Sequence, residues 1–249
     1  MKPAPHLGLL MLDAGFTRLP GDIGHPDTFP FRVTRRIVRG ADPARVVEGG
    51  AAGLLDAFVA AGRALAAEGV DGIATSCGFL VALQRELAAA LPVPVATSAL
   101  LLWPALQATM PPGRRVGVLT FSVAALTARH RAAAGMPPDA PVEGFAEDGL
   151  FRAVYGDRGG ASDPAALERE AVAAALRLQR RGGIGAILCE CTNLPPHAAA
   201  IRAATGLPVH DAVGFVVAFA RSLAPPRFGG PAAAPQRGRG APLGSKPAR

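Results

Sequence analysis

Apolar residues recur along this chain in two rhythms. Short apolar runs over 7–12, 31–38, 72–75, 93–96, 116–121 and 184–189 read as strands. Longer stretches with apolar positions three and four apart, over 44–68, 79–90, 100–108, 123–134, 164–181, 195–204 and 212–223, read as amphipathic helices. The alternation predicts an α/β fold, with mostly parallel sheet flanked by helices. Gly69, Gly113, Gly135, Gly182, Gly183 and Gly206 stand where helices should stop. One connection is unusual: residues 14–30 form a Gly- and Pro-rich stretch far longer than the roughly two to six residues common after a first strand. A segment of that length is expected to fold over a cleft and exclude water.

The pattern also repeats. Residues 70–99 laid over 184–213, an offset of 114, place Cys77 on Cys191, Leu87 on Ile201, Pro94 on Pro208 and Val95 on Val209. Each copy reads strand, cysteine, helix, Leu-Pro-Val strand. The first strands echo one another at an offset of 109, with Gly8-Leu9-Leu10-Met11-Leu12 matching Gly117-Val118-Leu119-Thr120-Phe121. Two copies of one unit predict two lobes related by a pseudo-twofold axis, with a ligand cleft between them. The expected division is 1–98 plus 209–224 for the lobe with Cys77, and 99–208 for the lobe with Cys191.

Composition and charge narrow the function. A hydrophobic share of 50% over 249 residues is ample for a core. The formal charge of +7 first suggests nucleic acid, but +5 of it lies in residues 225–249, from Arg227, Arg237, Arg239, Lys246 and Arg249. That tail holds 6 Pro and 5 Gly and no acid, so it is expected to be disordered, and beyond a weak contact through Arg237-Gly-Arg239 nucleic acid is not an expected partner. The run 7–12 ends at Asp13 without a small-residue cleavage site, and no uncharged apolar stretch reaches the roughly 18 residues of a membrane span. A cytoplasmic protein that does not enter a membrane is therefore expected. No motif sets the oligomeric state, and a homo-oligomer is left open.

Three cysteines argue against a disulfide framework, and five scattered histidines against a zinc site. No lysine occurs between Lys2 and Lys246, so a Schiff-base cofactor lysine is excluded from the body, and no cofactor is implied. A cysteine directly after a buried strand and before a helix sits at the carboxyl end of a sheet, where free N–H groups and the helix dipole favour a thiolate. Cys77 and Cys191 both satisfy this; Cys189, in mid-strand and outside the repeat register, reads as a core residue.

Around these turns the sequence resembles a family. The start LLMLDAG, the turn Thr75-Ser76-Cys77-Gly78 and the turn Glu190-Cys191-Thr192-Asn193 are similar to the aspartate/glutamate/hydantoin racemase superfamily, over about residues 7–222. Glutamate racemases have Asp-Ser after the first strand, Cys-Asn-Thr at the first thiol and Cys-Thr-His at the second. Here Asp13-Ala14, Cys77-Gly78-Phe79 and Cys191-Thr192-Asn193 stand instead.

The resemblance implies a cofactor-independent racemase or epimerase of an amino acid or related compound, such as a hydantoin. One thiolate would take a proton from an acidic carbon while the opposite thiol delivers another. Thr75, Ser76, Gly78, Thr192 and Asn193 are expected to hold the carboxylate or imide of the small-molecule substrate, with Asp13 binding an amino or imide N–H. Glu190 and His210 are candidate assistants, although strand alternation could turn Glu190 away and Asp211 beside His210 reads as a helix cap. Arg32, Arg35 and Arg36 read as a solvated strand face. Two further readings compete: a maleate-type cis–trans isomerase, in which one cysteine adds to the double bond, and a binding protein that kept the fold without catalysis. A malonate decarboxylase fits less well, because that chemistry resembles a single-thiol site.

Overall fold

The computed structural model describes residues 5–156 and 163–225. The basic tail falls, from residue 226 onward, outside the described residues.

Among the described residues, two four-stranded sheets form, every ladder parallel. The first has the order β2-β1-β3-β4, from Arg32–Val38 (β2), His6–Leu12 (β1), Gly72–Thr75 (β3) and Val95–Ala96 (β4). The second has the order β6-β5-β7-β8, from Val142–Gly144 (β6), Arg115–Thr120 (β5), Ile184–Cys189 (β7) and Val209–His210 (β8). The central strands are almost wholly buried, because parallel sheets need helices on both faces.

The helices are α1 (Leu55–Ala67), α2 (Gln84–Ala90), α3 (Trp103–Ala108), α4 (Ala128–Ala133), α5 (Leu150–Tyr155), α6 (Pro164–Arg180), α7 (Ala198–Thr205) and α8 (Ala212–Leu223).

The repeat has a physical basis. A Cβ on Gly8 would lie 3.1 Å from the Leu65 side chain of α1, and one on Gly117 would lie 2.9 Å from Leu178 of α6. The glycine near the start of each lobe's first strand thus lets the covering helix sit close to the sheet. The hydrogen bonds repeat as well: Ile73 N–H to Pro94 O and Ile187 N–H to Pro208 O are both 2.9 Å.

Several elements depart from the periodic pattern. The predicted helix over 44–68 is broken, with a single turn at Ala44–Glu48, because Gly50 and Gly53 adopt left-handed φ of 60° and 69°. The helix predicted over 123–134 is reduced to α4. Those over 79–90 and 100–108 open as tight 3₁₀ turns at Gly78–Leu83 and Ala99–Leu102, and that over 195–204 opens with one at Pro195–His197, where two successive prolines lack N–H donors. Strand β6 and helix α5 had no forecast, since three and six residues are too few to show a period.

One lobe boundary needs correction. Val209–His210 pairs with β7, so it belongs to the second sheet rather than to the lobe of Cys77. The chain returns to the first lobe at α8, where Asp211 Oδ1 accepts the N–H of Gly214 at 2.8 Å as the helix cap. Phe219 and Leu223 of α8 then press on Gly72 of β3, which has no side chain to hold them off.

Candidate active site

Both lobes end their third strand in the same way. Ser76, which precedes Cys77, donates its N–H to Leu10 O at 2.9 Å, and Glu190, which precedes Cys191, donates its N–H to Leu119 O at 2.8 Å. After each thiol the chain turns at once, with Leu80 N–H on Cys77 O at 3.2 Å and Leu194 N–H on Cys191 O at 3.1 Å. Both cysteines therefore leave the carboxyl ends of their sheets with equivalent geometry, and the lobes face each other there. Thr192 closes the gap, its hydroxyl donating across the interface to Ser76 O at 2.7 Å.

Cys77 and Cys191 line one narrow cavity of about 30 Å³. Ser76, Gly78, Glu190, Thr192 and Asn193 share its wall. Two polar side chains there are engaged by the protein: Ser76 Oγ accepts the N–H of Leu12 at 2.9 Å, and Asn193 Nδ2 donates to Asp22 at 2.5 Å. Cys191 Sγ reaches Asn193 Oδ1 at 3.5 Å. The remaining wall is apolar and aromatic, from Leu12, Phe16, Pro43, Val47, Phe79, Phe121 and Tyr155, with one cation, Arg18.

Three expected site residues do not line the cavity. Asp13 is exposed and accepts the N–H of Gly40 at 3.1 Å, tying the end of β1 to the turn after β2. Thr75 is buried, and its hydroxyl is spent on Thr97 O at 2.6 Å and Cys77 O at 3.2 Å. His210 sits in β8, an edge strand of the second sheet. Cys189 is fully buried in β7, as a core residue would be.

The long 14–30 segment does cover the cleft, and it brings the residues that sequence reasoning missed. Asp22 is buried and accepts three bonds: Arg18 Nη1 at 2.7 Å, Gly24 N–H at 2.7 Å and Asn193 Nδ2 at 2.5 Å. A carboxylate saturated in this way pins the segment to the second cysteine turn. Arg18 stacks over Phe16 at 4.7 Å, and Phe16 meets the edge of Tyr155 at 5.1 Å. Arg35 supports the cover, donating to His25 O at 2.8 Å, while Arg36 pairs with Glu68. The pair Arg18 and Asp22, four apart inside a Gly- and Pro-rich loop, was the available signal; Tyr155, on a helix too short to forecast, left none.

The electrostatics are those of a dry site. Burial pushes the Cys77 thiol up, helped by the charge of Glu190, against the N–H groups of Phe79 and Leu80, which favour the thiolate. Cys191 is raised for the same reasons, burial first and Glu190 second, against the N–H of Asn193. Donors at the turn are present as the sequence implied, but desolvation outweighs them. Glu190 itself is raised to about 7 by burial, against hydrogen bonds from Thr120 and Phe121. Among the described residues no three His, Cys, Asp or Glu side chains gather in a way that would hold a metal ion.

Two parallel α/β lobes with a thiol at the equivalent strand end of each define a two-lobed α/β class. A sequence model for the Asp/Glu/Hydantoin racemase family matches residues 35–220, and the chain belongs to that family. It is 32% identical over 237 residues to a dimethylsulfoniopropionate lyase of Durusdinium sp. clade D, a match spanning 90% of this chain and 77% of the relative. Its fold is that of allantoin racemase from Klebsiella pneumoniae, at a TM-score of 0.60 and 17% identity over 88% of this chain and 87% of that one. It is likewise that of unliganded arylmalonate decarboxylase, at a TM-score of 0.58 and 18% identity over 94% and 96% of the two chains. Racemases, decarboxylases and lyases thus share this architecture, so the reaction has to be argued from the cavity.

Proposed function

We propose that this protein is a cofactor-independent lyase that eliminates dimethyl sulfide from dimethylsulfoniopropionate or a close sulfonium carboxylate. The observation that carries the reading is the cavity wall: two thiols, one arginine and four aromatic rings beside the polar cysteine turns with Ser76, Glu190, Thr192 and Asn193. A sulfonium has no N–H and is suited to aromatic faces, a contact worth about 2 kcal/mol when desolvated. Phe16, Phe121 and Tyr155 supply those faces, and Arg18 supplies a cation for the carboxylate. The identity to a dimethylsulfoniopropionate lyase supports the same choice.

The reaction is a β-elimination. A thiolate, Cys77 or Cys191, takes a proton from the carbon next to the carboxylate. The C–H electron pair becomes the new double bond, the bond from the β-carbon to sulfur breaks, and its electrons leave on sulfur as neutral dimethyl sulfide. Acrylate remains. The second thiol stands on the opposite wall, where it limits the substrate's orientation and can share the proton. Because the cavity is narrow, the 14–30 cover has to open for entry and its closure excludes water.

Racemisation is the second reading, and the equivalent placement of the two thiols favours it, since inversion needs one base on each face. Both are tested together. The protein is given dimethylsulfoniopropionate while headspace dimethyl sulfide is measured, and amino acids, hydantoins and small dicarboxylates in D₂O while deuterium incorporation is followed by NMR. Sulfide release is expected, falling by about 10²-fold or more in Cys77→Ser and in Cys191→Ser and surviving in Cys189→Ala. Deuterium at a stereogenic carbon without sulfide release would select the racemase; maleate turned to fumarate, the isomerase; saturable binding without turnover, a binding protein. Full activity in both serine variants would overturn the two-thiol site.

A further inference from the structure

The two cysteine turns differ in the residue two positions after each thiol. At the repeat offset of 114, Phe79 stands where Asn193 does. Each turn offers backbone N–H groups to its sulfur, those of Phe79 and Leu80 at Cys77 and that of Asn193 at Cys191, and such donors favour a thiolate. The second turn adds an acceptor, which a phenylalanine cannot supply. Cys191 Sγ donates to Asn193 Oδ1 at 3.5 Å, a contact that forms only with the proton on sulfur.

What turns the amide that way is the cover. Asp22 is only 1% exposed, and its two oxygens have separate partners: Oδ1 accepts Arg18 Nη1 and Gly24 N–H, both at 2.7 Å, while Oδ2 accepts Asn193 Nδ2 at 2.5 Å. A carboxylate paired with arginine only accepts, so the amide nitrogen faces Asp22 and the amide oxygen is left to face the thiol. Turned over, the amide would set its oxygen against the carboxylate and offer Nδ2–H to the sulfur, the arrangement that favours a thiolate.

We infer that Asp22 and Asn193 are positioning residues that hold Cys191 as a protonated thiol while the cover is closed, which leaves Cys77 as the base. The assignment deepens the lyase reading above and rests on it for the reaction. Cys77 enters the step as thiolate, its proton lost to solvent. The Cα–H bond breaks and an S–H bond forms on Cys77; the C–H electron pair becomes the double bond, and dimethyl sulfide leaves with the pair of the C–S bond. Cys191 keeps its proton and limits the substrate's orientation. An elimination needs one base, whereas a racemase uses each thiol as base in turn, so a locked second thiol agrees with the lyase. The surrounding charges act in the same sense: Glu190, Cys77 and Asp22 oppose an anion on Cys191, with Arg18 and Tyr155 beside them, and at Cys77 the opposing charge is that of Glu190.

The test needs no substrate. Iodoacetamide alkylation of Cys77 and Cys191 in the full chain, resolved by mass spectrometry at fixed pH, is compared between the native protein and Asp22→Asn. That substitution keeps an oxygen for Arg18 and Gly24 and puts an NH₂ at the Oδ2 position, so Asn193 has to turn over and present Nδ2–H to Cys191. Alkylation of Cys191 should rise by about tenfold, the size of one pKa unit, with Cys77 unchanged. Simple opening of the cover would speed both thiols, which makes Cys77 the reference within each molecule. In an Asn193→Ala background, Asp22→Asn should no longer act selectively on Cys191. An equal change at both thiols, or a selective rise that persists in that background, overturns the assignment. Should Asp22→Asn lose cooperative unfolding, infrared spectra of the native protein decide: the S–H band missing from Cys191→Ser should survive to higher pH than the band missing from Cys77→Ser, and simultaneous loss or the reverse order overturns the assignment. Sulfide release with an unselective response removes this inference alone; the selective response without sulfide release removes only the substrate.

Discussion

Replacing Gly78 by alanine adds one methyl group where the two cysteine turns approach each other closely. That carbon would stand 2.3 Å from both the main-chain oxygen and Oε1 of Glu190, against an ordinary contact distance of 3.4 Å or more, so about 1 Å must be recovered. The carboxyl can swing, but the carbonyl is fixed to the end of β7 and can retreat only if the cysteine turns part. Overpacking of this kind costs about 1–3 kcal/mol, which for a chain of this size lowers the thermal midpoint by about 2–12 °C. Thiols parted by about 1 Å should lose roughly 10²-fold in turnover.

Gly15→Ala is the control, since no atom lies within 4 Å of the added carbon. Differential scanning fluorimetry and sulfide release would be read on both. Adding Glu190→Ala to Gly78→Ala should restore only part of the stability, because it clears the carboxyl and leaves the carbonyl. Gly78→Ala behaving like Gly15→Ala in both assays would refute the close approach of the two turns.

Two further perturbations test the charges. Because burial raises Glu190 from the ordinary 4.5 to about 7, the folded chain holds that proton more tightly than the unfolded one. Its contribution is fully present below pH 4.5 and is lost as the pH rises through about 7, up to about 3 kcal/mol; urea unfolding at a series of pH values should show the decline, and Glu190→Gln should flatten it. Asp22→Ala leaves Arg18 and Asn193 without their shared acceptor and should cost about 3–5 kcal/mol, with the 14–30 segment becoming a site of limited proteolysis; Asp22→Asn should fall between, and unchanged proteolysis in Asp22→Ala would show that the cover is held by other means.

How much of this was legible in the chain varies with how local the cause is. The fold class, the two lobes and the matched thiols were legible because buried parallel strands, covering helices and the glycines that admit them leave a periodic mark that repeats at 114 residues. Asp13 and Thr75 were drawn into the expected site by their place next to the motifs. A hydroxyl or carboxylate near a strand end serves whichever backbone group is unpaired there, and these two serve Gly40 and Thr97. His210 was placed by its strand and missed because strand order in a sheet is set by the crossovers, not by sequence neighbourhood. The segment 14–30 was recognised as a cover by its length alone, while its working residues, Arg18 and Asp22, gained meaning only when their partners on the other lobe came into view.

The sequence by itself determined that two thiols would sit at equivalent strand ends, since period, turn and repeat are encoded in stretches of adjacent residues. Only the tertiary structure decided what surrounds them: an aromatic wall from the turns after β3 and β5, from α5 and from the cover, a carboxyl from one lobe filling the gap at Gly78 of the other, and a dryness that raises both thiols. The reason is that burial and through-space charge depend on residues brought together from far along the chain, and no local pattern carries that distance.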